Sequence, residues 1–420
     1  MTTEGNEVRE HIKQLRRTAG MSQEQLAEAS GLSVFTIQKA EQGKPVRTET
    51  LHTIARALDV PTSRLFVGGT PAPVVGDMDT SRRLVPLRMA LMPPIGVTGV
   101  EPPAEAPEIG GLGALRRQIM DVHTLYRAGR YDSVVAQLPA LLVRAGAAVR
   151  TAEGDDRVEA EAVRVLALLV AGKFTTQLRQ YDLAYHALAD AIRTARDAGD
   201  QHTAAVGVVG LLWLLLRQNR FDECYRLAID TAELVEPRMT ETDPARISLY
   251  GELWLRAAAA AVRDGRYDDA EVARGMAARA AGGMRRQDEM FPSHWGGFGP
   301  ATAAIKAAED CLVMGQDASD ARELLRRAGT DALSPEALKS RGKPTAIDWS
   351  RHKLDVASAH VILGSHQAAM EELVRIKEKR GTWMRHQPMA RRVVGDVLKT
   401  RKRTLTQDMR DMATYLGVAG

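Results

Sequence analysis

The feature that most constrains this chain is a short phrase that keeps returning. "AGRYDSV" (128–134), "LRQYDLA" (178–184), "QNRFDEC" (218–224) and "DGRYDDA" (264–270) each carry a small or polar turn residue, an aromatic two positions on, and a small residue three further. Weaker echoes stand at "GQDASDA" (315–321) and "GSHQAAM" (364–370). The aromatics Tyr131, Tyr181, Phe221 and Tyr267 are 50, 40 and 46 residues apart. Glycine or asparagine ends one helix, where left-handed backbone costs little. The aromatic then opens the next helix, and the small residue lets two helices approach. A unit of this kind leaves an apolar face uncovered, so units must stack on one another.

Composition agrees with a helical reading. Aromatics are only 5% of the chain, and Ala-rich stretches dominate its second half, which favours helix over sheet. At 420 residues two or more domains are expected. The spacing predicts an all-α chain: five short helices within residues 1–68, a Pro/Gly-rich linker over 69–113 with a short ordered piece around "SRRLVPLRMALM", and a helical repeat domain over 114–420.

Several function classes find no support. The longest apolar run, "AAVGVVGLLWLLL" (204–216), has 13 residues and is closed by Arg217. A membrane span needs about 20, so a buried helix is expected and no membrane. The polar N-terminus has no apolar core for a signal peptide; a cytoplasmic, nucleoid-associated protein is expected. Cys224 and Cys311 stand far apart with no CxxC spacing, which suits a reducing compartment. No phosphate loop, nucleophile elbow or paired-carboxylate motif is present, and the histidines lack ligand spacing. We therefore expect neither an enzyme nor a cofactor nor a metal.

"GMSQEQLAEASGLSVFTIQKAEQGK" (20–44) reads as two short helices joined by a tight turn. Ser22 caps the first, with Gln25 completing a capping box. Gly31 makes the turn and Ser33 caps the second helix. Leu26, Ala27, Leu32, Ile37 and Ala40 fall where the helices must pack on each other and on Ile12 and Leu15. Val34, Phe35, Thr36, Gln38 and Lys39 then project outward. An exposed Val-Phe pair is odd in water but suits a DNA major groove, where apolar groups meet thymine methyls.

Through "SQEQLA", "GLS", "TIQKAEQGK" and "LHTIARALDVPTSRLF", residues 8–66 resemble the Cro/phage-repressor (XRE) family of DNA-binding domains. The resemblance implies that Val34, Phe35 and Lys39 occupy base-reading positions. It implies DNA-backbone contacts at Ser22, Gln23, Ser33, Gln42 and Lys44, and a structural salt bridge between Arg16 and Glu41. Where many relatives have Gln or Arg at base-reading positions, this chain has Val and Phe. Residues 1–66 carry nine Lys/Arg against eight Asp/Glu. So balanced a domain makes few phosphate contacts and binds weakly alone, which argues for a homodimer on a two-fold-symmetric operator. Some XRE-like folds bind protein instead.

The phrase G-x-Y-x-x-A resembles the inter-helix turn of tetratricopeptide repeats, although the chain departs from that family's period of about 34 residues. A DNA-binding domain joined to such repeats resembles the peptide-sensing regulators of Gram-positive bacteria and, in its Arg/Ala-rich layout, actinobacterial XRE regulators. This implies a peptide or small-molecule effector; the alternative is a DNA-tethered scaffold whose repeats hold a partner protein. "GGMRRQDEMFPSHWGGFGPAT" (282–302) interrupts the helical pattern, and Pro300 is expected to start the next helix. Phe291, Trp295 and Phe298 there either close over a ligand, with Arg285 and Arg286 meeting its carboxylates, or plug the end of a repeat. Tyr250 and Trp254, one helical turn apart, raise the same choice between groove and core. The tail 375–403 carries eleven Lys/Arg against two Asp/Glu, either as a solvated cap or as a surface for DNA or an acidic partner.

Overall fold

The structure is a computed structural model and describes residues 8–9, 11–13, 15–16, 19, 21–44, 46–58, 60, 65, 83–97, 99–100, 110–238, 240–287, 291–293, 295–314, 317–400 and 406–418. The small domain contains α1 (Gln23–Ser30), α2 (Val34–Glu41) and α3 (Thr48–Ala57), preceded by helical residues at 8–9, 11–13 and 15–16. Ile12, Leu26, Ile37, Ile54 and Leu65 are fully buried at its centre. Of a fifth helix only Leu65 can be placed, in a 3-10 turn; 59, 61–64 and 66 lie outside the described residues.

Much of the expected linker (69–82, 98 and 101–109) also lies outside them. Within it, α4 (Val85–Leu91) packs against the helical domain and buries Leu84 and Leu87 in the shared core. Ile95–Gly96 then pairs antiparallel with Gly99–Val100. The chain is therefore helical apart from one two-residue ribbon among the described residues, in a Gly-bearing run that cannot sustain a helix.

The helical domain comprises α5 (Leu112–Arg127), α6 (Tyr131–Thr151), α7 (Gly154–Gln177), α8 (Tyr181–Asp197), α9 (Gln201–Arg217), α10 (Phe221–Leu234), α11 (Pro244–Arg263), α12 (Tyr267–Gly282), α13 (Pro300–Met314), α14 (Ala318–Ala328), α15 (Pro335–Arg341), α16 (Ala346–Ile362), α17 (His366–Arg385), α18 (Pro388–Thr400) and α19 (Gln407–Leu416). Helices pack on their neighbours and repeatedly on the next but one, as in α5 with α7, α9 with α11 and α16 with α18.

The recurring phrase sits where its chemistry demands. Tyr131, Tyr181, Phe221 and Tyr267 each open a helix. Three residues on, Val134, Ala184, Cys224 and Ala270 are buried, as are Ala321 and Ala369 in the weaker echoes. Pro300 opens α13 as expected. Among the described residues one helix, Tyr131–Thr151, is long and apolar enough to cross a membrane by length and composition; its Val134, Leu138, Leu141, Leu142 and Ala145 belong to the shared core.

The two ends of the array meet. Arg380 of α17 donates to the carbonyl of Arg127, Trp383 packs over Gly129, and the Tyr131 and His386 rings lie 5.2 Å apart. Of the basic tail, α17 and α18 bury Trp383, Met384, Val393 and Val397 in a terminal core with α16 and α19; 401–403 lie outside the described residues. The result is a cavity, half open to solvent, bounded by both ends of the array.

Candidate functional site

Local chemistry fixes how α2 is presented. The Ser22 hydroxyl accepts from Gln25 N at 3.1 Å while Ser22 N donates to Gln25 Oε1 at 2.7 Å. Gly31 turns the chain at φ 66, and the Ser33 hydroxyl accepts from Thr36 N at 3.1 Å. Arg16, though buried, is held by Glu41 at the end of α2, through Nε to Oε1 at 2.5 Å and the second nitrogen to Oε2 at 3.1 Å. Gln23 Nε2 donates to the same carboxylate at 2.6 Å. Burial opposes ionisation of Glu41, but the hydrogen bonds from Arg16 and Gln23 outweigh it and hold its pKa below the ordinary carboxylate value. The bond to Glu41 raises Arg16 against the opposing effect of burial.

With Ile37, Ala40 and Glu41 buried, the outward face of α2 consists of Phe35, Gln38, Lys39 and Gln42. Phe35 is 72% exposed. Val34 instead packs against the domain's own core, and the Thr36 hydroxyl lies 2.8 Å from that of Ser33. Lys44 is exposed, and Ser22 and Ser33 are exposed caps. Gln23 has one amide hydrogen on Glu41, which leaves the other for a phosphate.

The small domain rests on the helical one through α3, which packs on α13. Arg47 reaches Asp317 at 2.9 Å, and His52 lies directly over Gly265, where an added Cβ would stand 2.6 Å from the ring. This docking leaves Phe35 uncovered.

The chamber of the helical domain measures about 1270 Å³. Phe291 and Trp295 line it; Tyr250, Trp254, Phe298, Arg285 and Arg286 do not. Tyr250 is buried and Trp254 is packed against the core, their rings 6.0 Å apart edge to face. Phe298 is fully buried against Gly251, where an added Cβ would stand 2.0 Å from its ring. Arg285 and Arg286 are exposed. The loop thus packs as a plug with one face toward the chamber, which corrects the picture of a lid that converges on a ligand with both arginines.

Lys173 and Glu252 hold that plug from inside. Lys173 Nζ donates to the Trp295 carbonyl and lies 4.0 Å from the Phe291 ring and 4.8 Å from that of Trp295. Glu252 accepts from the amides of Trp295 at 2.8 Å and Gly296 at 2.6 Å. His123 stacks on Phe291 at 4.1 Å. Burial, partly offset by Glu252, lowers the Lys173 pKa to about 7, and burial, then Lys173 and Arg127, lowers that of His123 to about 2.

Deeper in the chamber Arg217 is lowered to about 9, first by burial and then by Arg351. The sequence reading missed Lys173, Glu252, Arg179, Arg217 and Arg351. Lys173 had a signal, as the lone charge in "LALLVAGKF". So did Arg179, which replaces the turn glycine of the repeated phrase.

A model of the helix-turn-helix, HTH_3, matches residues 12–65. A model of anaphase-promoting complex subunit 5 matches residues 157–218 and 294–327, on α7–α9 and at α13–α14. No curated protein and no solved structure matches the chain. The small domain is an XRE-type helix-turn-helix, which supports a DNA-binding regulator with a helical domain behind it.

Proposed function

We propose that the protein is a sequence-specific transcriptional regulator of the cytoplasm, acting as a homodimer on a two-fold-symmetric operator, whose tetratricopeptide-like helical domain senses a peptide or small molecule. It is read as non-catalytic. The observation that carries the DNA reading is α2, capped by Ser33, tied through Glu41 to Arg16, and carrying Phe35 on its exposed face. In the groove, Phe35 meets thymine methyls and Lys39 donates to guanine O6 or N7. The near-neutral small domain binds half-sites in pairs because each makes few phosphate contacts. The chamber supports the sensing reading, since ligand sites are concave with a few convergent polar groups. The α3 surface on α13 and the Gly265 turn offers a route between them: a ligand shifts DNA affinity only by its differential affinity for two arrangements of that contact.

Selection of genomic fragments by the full-length protein at physiological salt tests this; enrichment of a symmetric site is expected. In titrations on that site, Phe35→Ala changes base preference, while Gln23→Ala weakens all sites alike. The reverse pattern would break the role assignment. The subunit match favours a second reading, in which the helical domain is a scaffold for a partner protein. A protein-free, low-molecular-weight extract that alters DNA affinity decides for sensing, and one without effect decides for the scaffold.

A further inference from the structure

The turns of the helical domain share one backbone device. The residue after the helix end takes positive φ, and at 129, 199, 265 and 364 it is glycine, with φ between 74° and 76°. Among the described residues, only Arg179 (φ 60) and Asn219 (φ 58) adopt this region with a side chain. Asparagine tolerates it by local hydrogen bonding, whereas arginine has no such compensation. Held strain of this kind points from the outlier toward a function.

The Arg179 side chain lines the chamber with its Nε buried and without a hydrogen-bond partner. Arg217, from the end of α9, and Arg351, from α16, line the same space, and both Arg179 and Arg351 lie close enough to depress Arg217. None of the three makes an ion pair among the described residues. Of the neighbouring carboxylates, Glu252 holds the plug amides, Glu309 pairs with Lys306 and Arg263, and Asp348 accepts from Thr345. Asp355, buried on the same wall within electrostatic reach of Arg351, is pushed well above the usual carboxylate range by burial and makes no ion pair among the described residues. All three arginines are partly exposed at the cavity wall, where like charges repel one another and an anion between them would relieve the repulsion.

We propose that Arg179, Arg217 and Arg351 form a recognition site for the phosphate group of a small-molecule effector. It rests on reading the chamber as a ligand site, and it names the chemistry of that ligand. Guanidinium forks pair bidentately with phosphate oxygens, and three lining one cavity from a turn and two helices suit a multiply charged oxyanion better than a lone carboxylate. The ligand would bridge the Arg179 turn, the end of α9 and α16, so its binding favours one arrangement of the chamber.

The test uses the full-length protein, with inorganic pyrophosphate as the probe, against sodium chloride of equal ionic strength and an acidic pentapeptide. Pyrophosphate should raise the melting temperature saturably. Arg179→Gly, which restores the glycine of the repeat, should melt no lower than the wild type without ligand yet bind pyrophosphate at least about tenfold more weakly. Arg351→Gln should weaken binding similarly. Wild-type affinity in Arg179→Gly, the absence of a saturable rise in the wild type, or a response to the pentapeptide alone would overturn the proposal. A large loss of stability in Arg179→Gly would do the same, since it makes the guanidinium a packing element. Saturable binding with unchanged operator affinity would keep the site and sink the sensing reading, so the two fail separately.

Discussion

The two domains treat buried charge in opposite ways. In the small domain Arg16 and Glu41 neutralise one another and Gln23 adds a further donor to Glu41 Oε2, so the charges act as a clamp between the first helical segment and α2. In the helical domain, Arg179, Arg217 and Arg351 face a cavity without forming an ion pair among the described residues, although Glu309 and Asp355 line it within electrostatic reach of Arg351, while Lys173 and Glu252 hold a loop. A paired buried charge holds a fold together, whereas partly exposed cations gathered without an ion pair repel one another, which the proposed anion would relieve.

Breaking the clamp should give the largest effect. Glu41→Ala leaves Arg16 buried and uncompensated, a loss of about 3–5 kcal/mol, so the small domain should unfold early in urea while the helical domain keeps its own transition. A single unchanged transition would show that the pair is not structural. Because the folded pKa of Glu41 is lowered, its contribution is present above the ordinary carboxylate value and disappears as pH falls through the lowered one. Acid should therefore release the small domain in the wild type more steeply than in Glu41→Gln.

The helical domain is tested next by its close approaches. Gly251→Ala drives a methyl into the Phe298 ring, costing about 1–3 kcal/mol, and proteolysis should then cut within 282–299. Gly275→Ala on α12 meets open space and should stabilise by about 0.5–1 kcal/mol. Equal effects at the two positions would mean that the plug is loosely packed.

A smaller effect separates the charges by pH. Lys173 has its folded pKa lowered to about 7, so above that value the unfolded chain holds a proton the native state has released. Stability relative to Lys173→Met should rise by about 1 kcal/mol per pH unit from pH 7 toward the ordinary lysine range. A flat difference profile from calorimetric melts would show that Lys173 stays charged in the chamber. Last, Ser33→Ala removes one cap and should cost about 1 kcal/mol, read as a fall in the melting point of the small domain alone.

The sequence by itself determined the local grammar. Capping at Ser22 and Ser33, the Gly31 turn and the start of α13 at Pro300 each rest on contacts within a few residues, which spacing reveals. So do the helix starts at Tyr131, Tyr181, Phe221 and Tyr267, and the buried small residues three positions on. Tertiary structure alone decided that α17 closes onto the α5–α6 turn, that α4 leaves the linker to pack, and that Val34 turns inward. It also decided that Lys173 and Glu252 grip a loop more than forty residues beyond either. Periodicity reports which face of a helix is apolar but not which distant helix covers it. Contacts such as that of Arg380 with Arg127 depend on summed small rotations between successive helices, which no local pattern encodes.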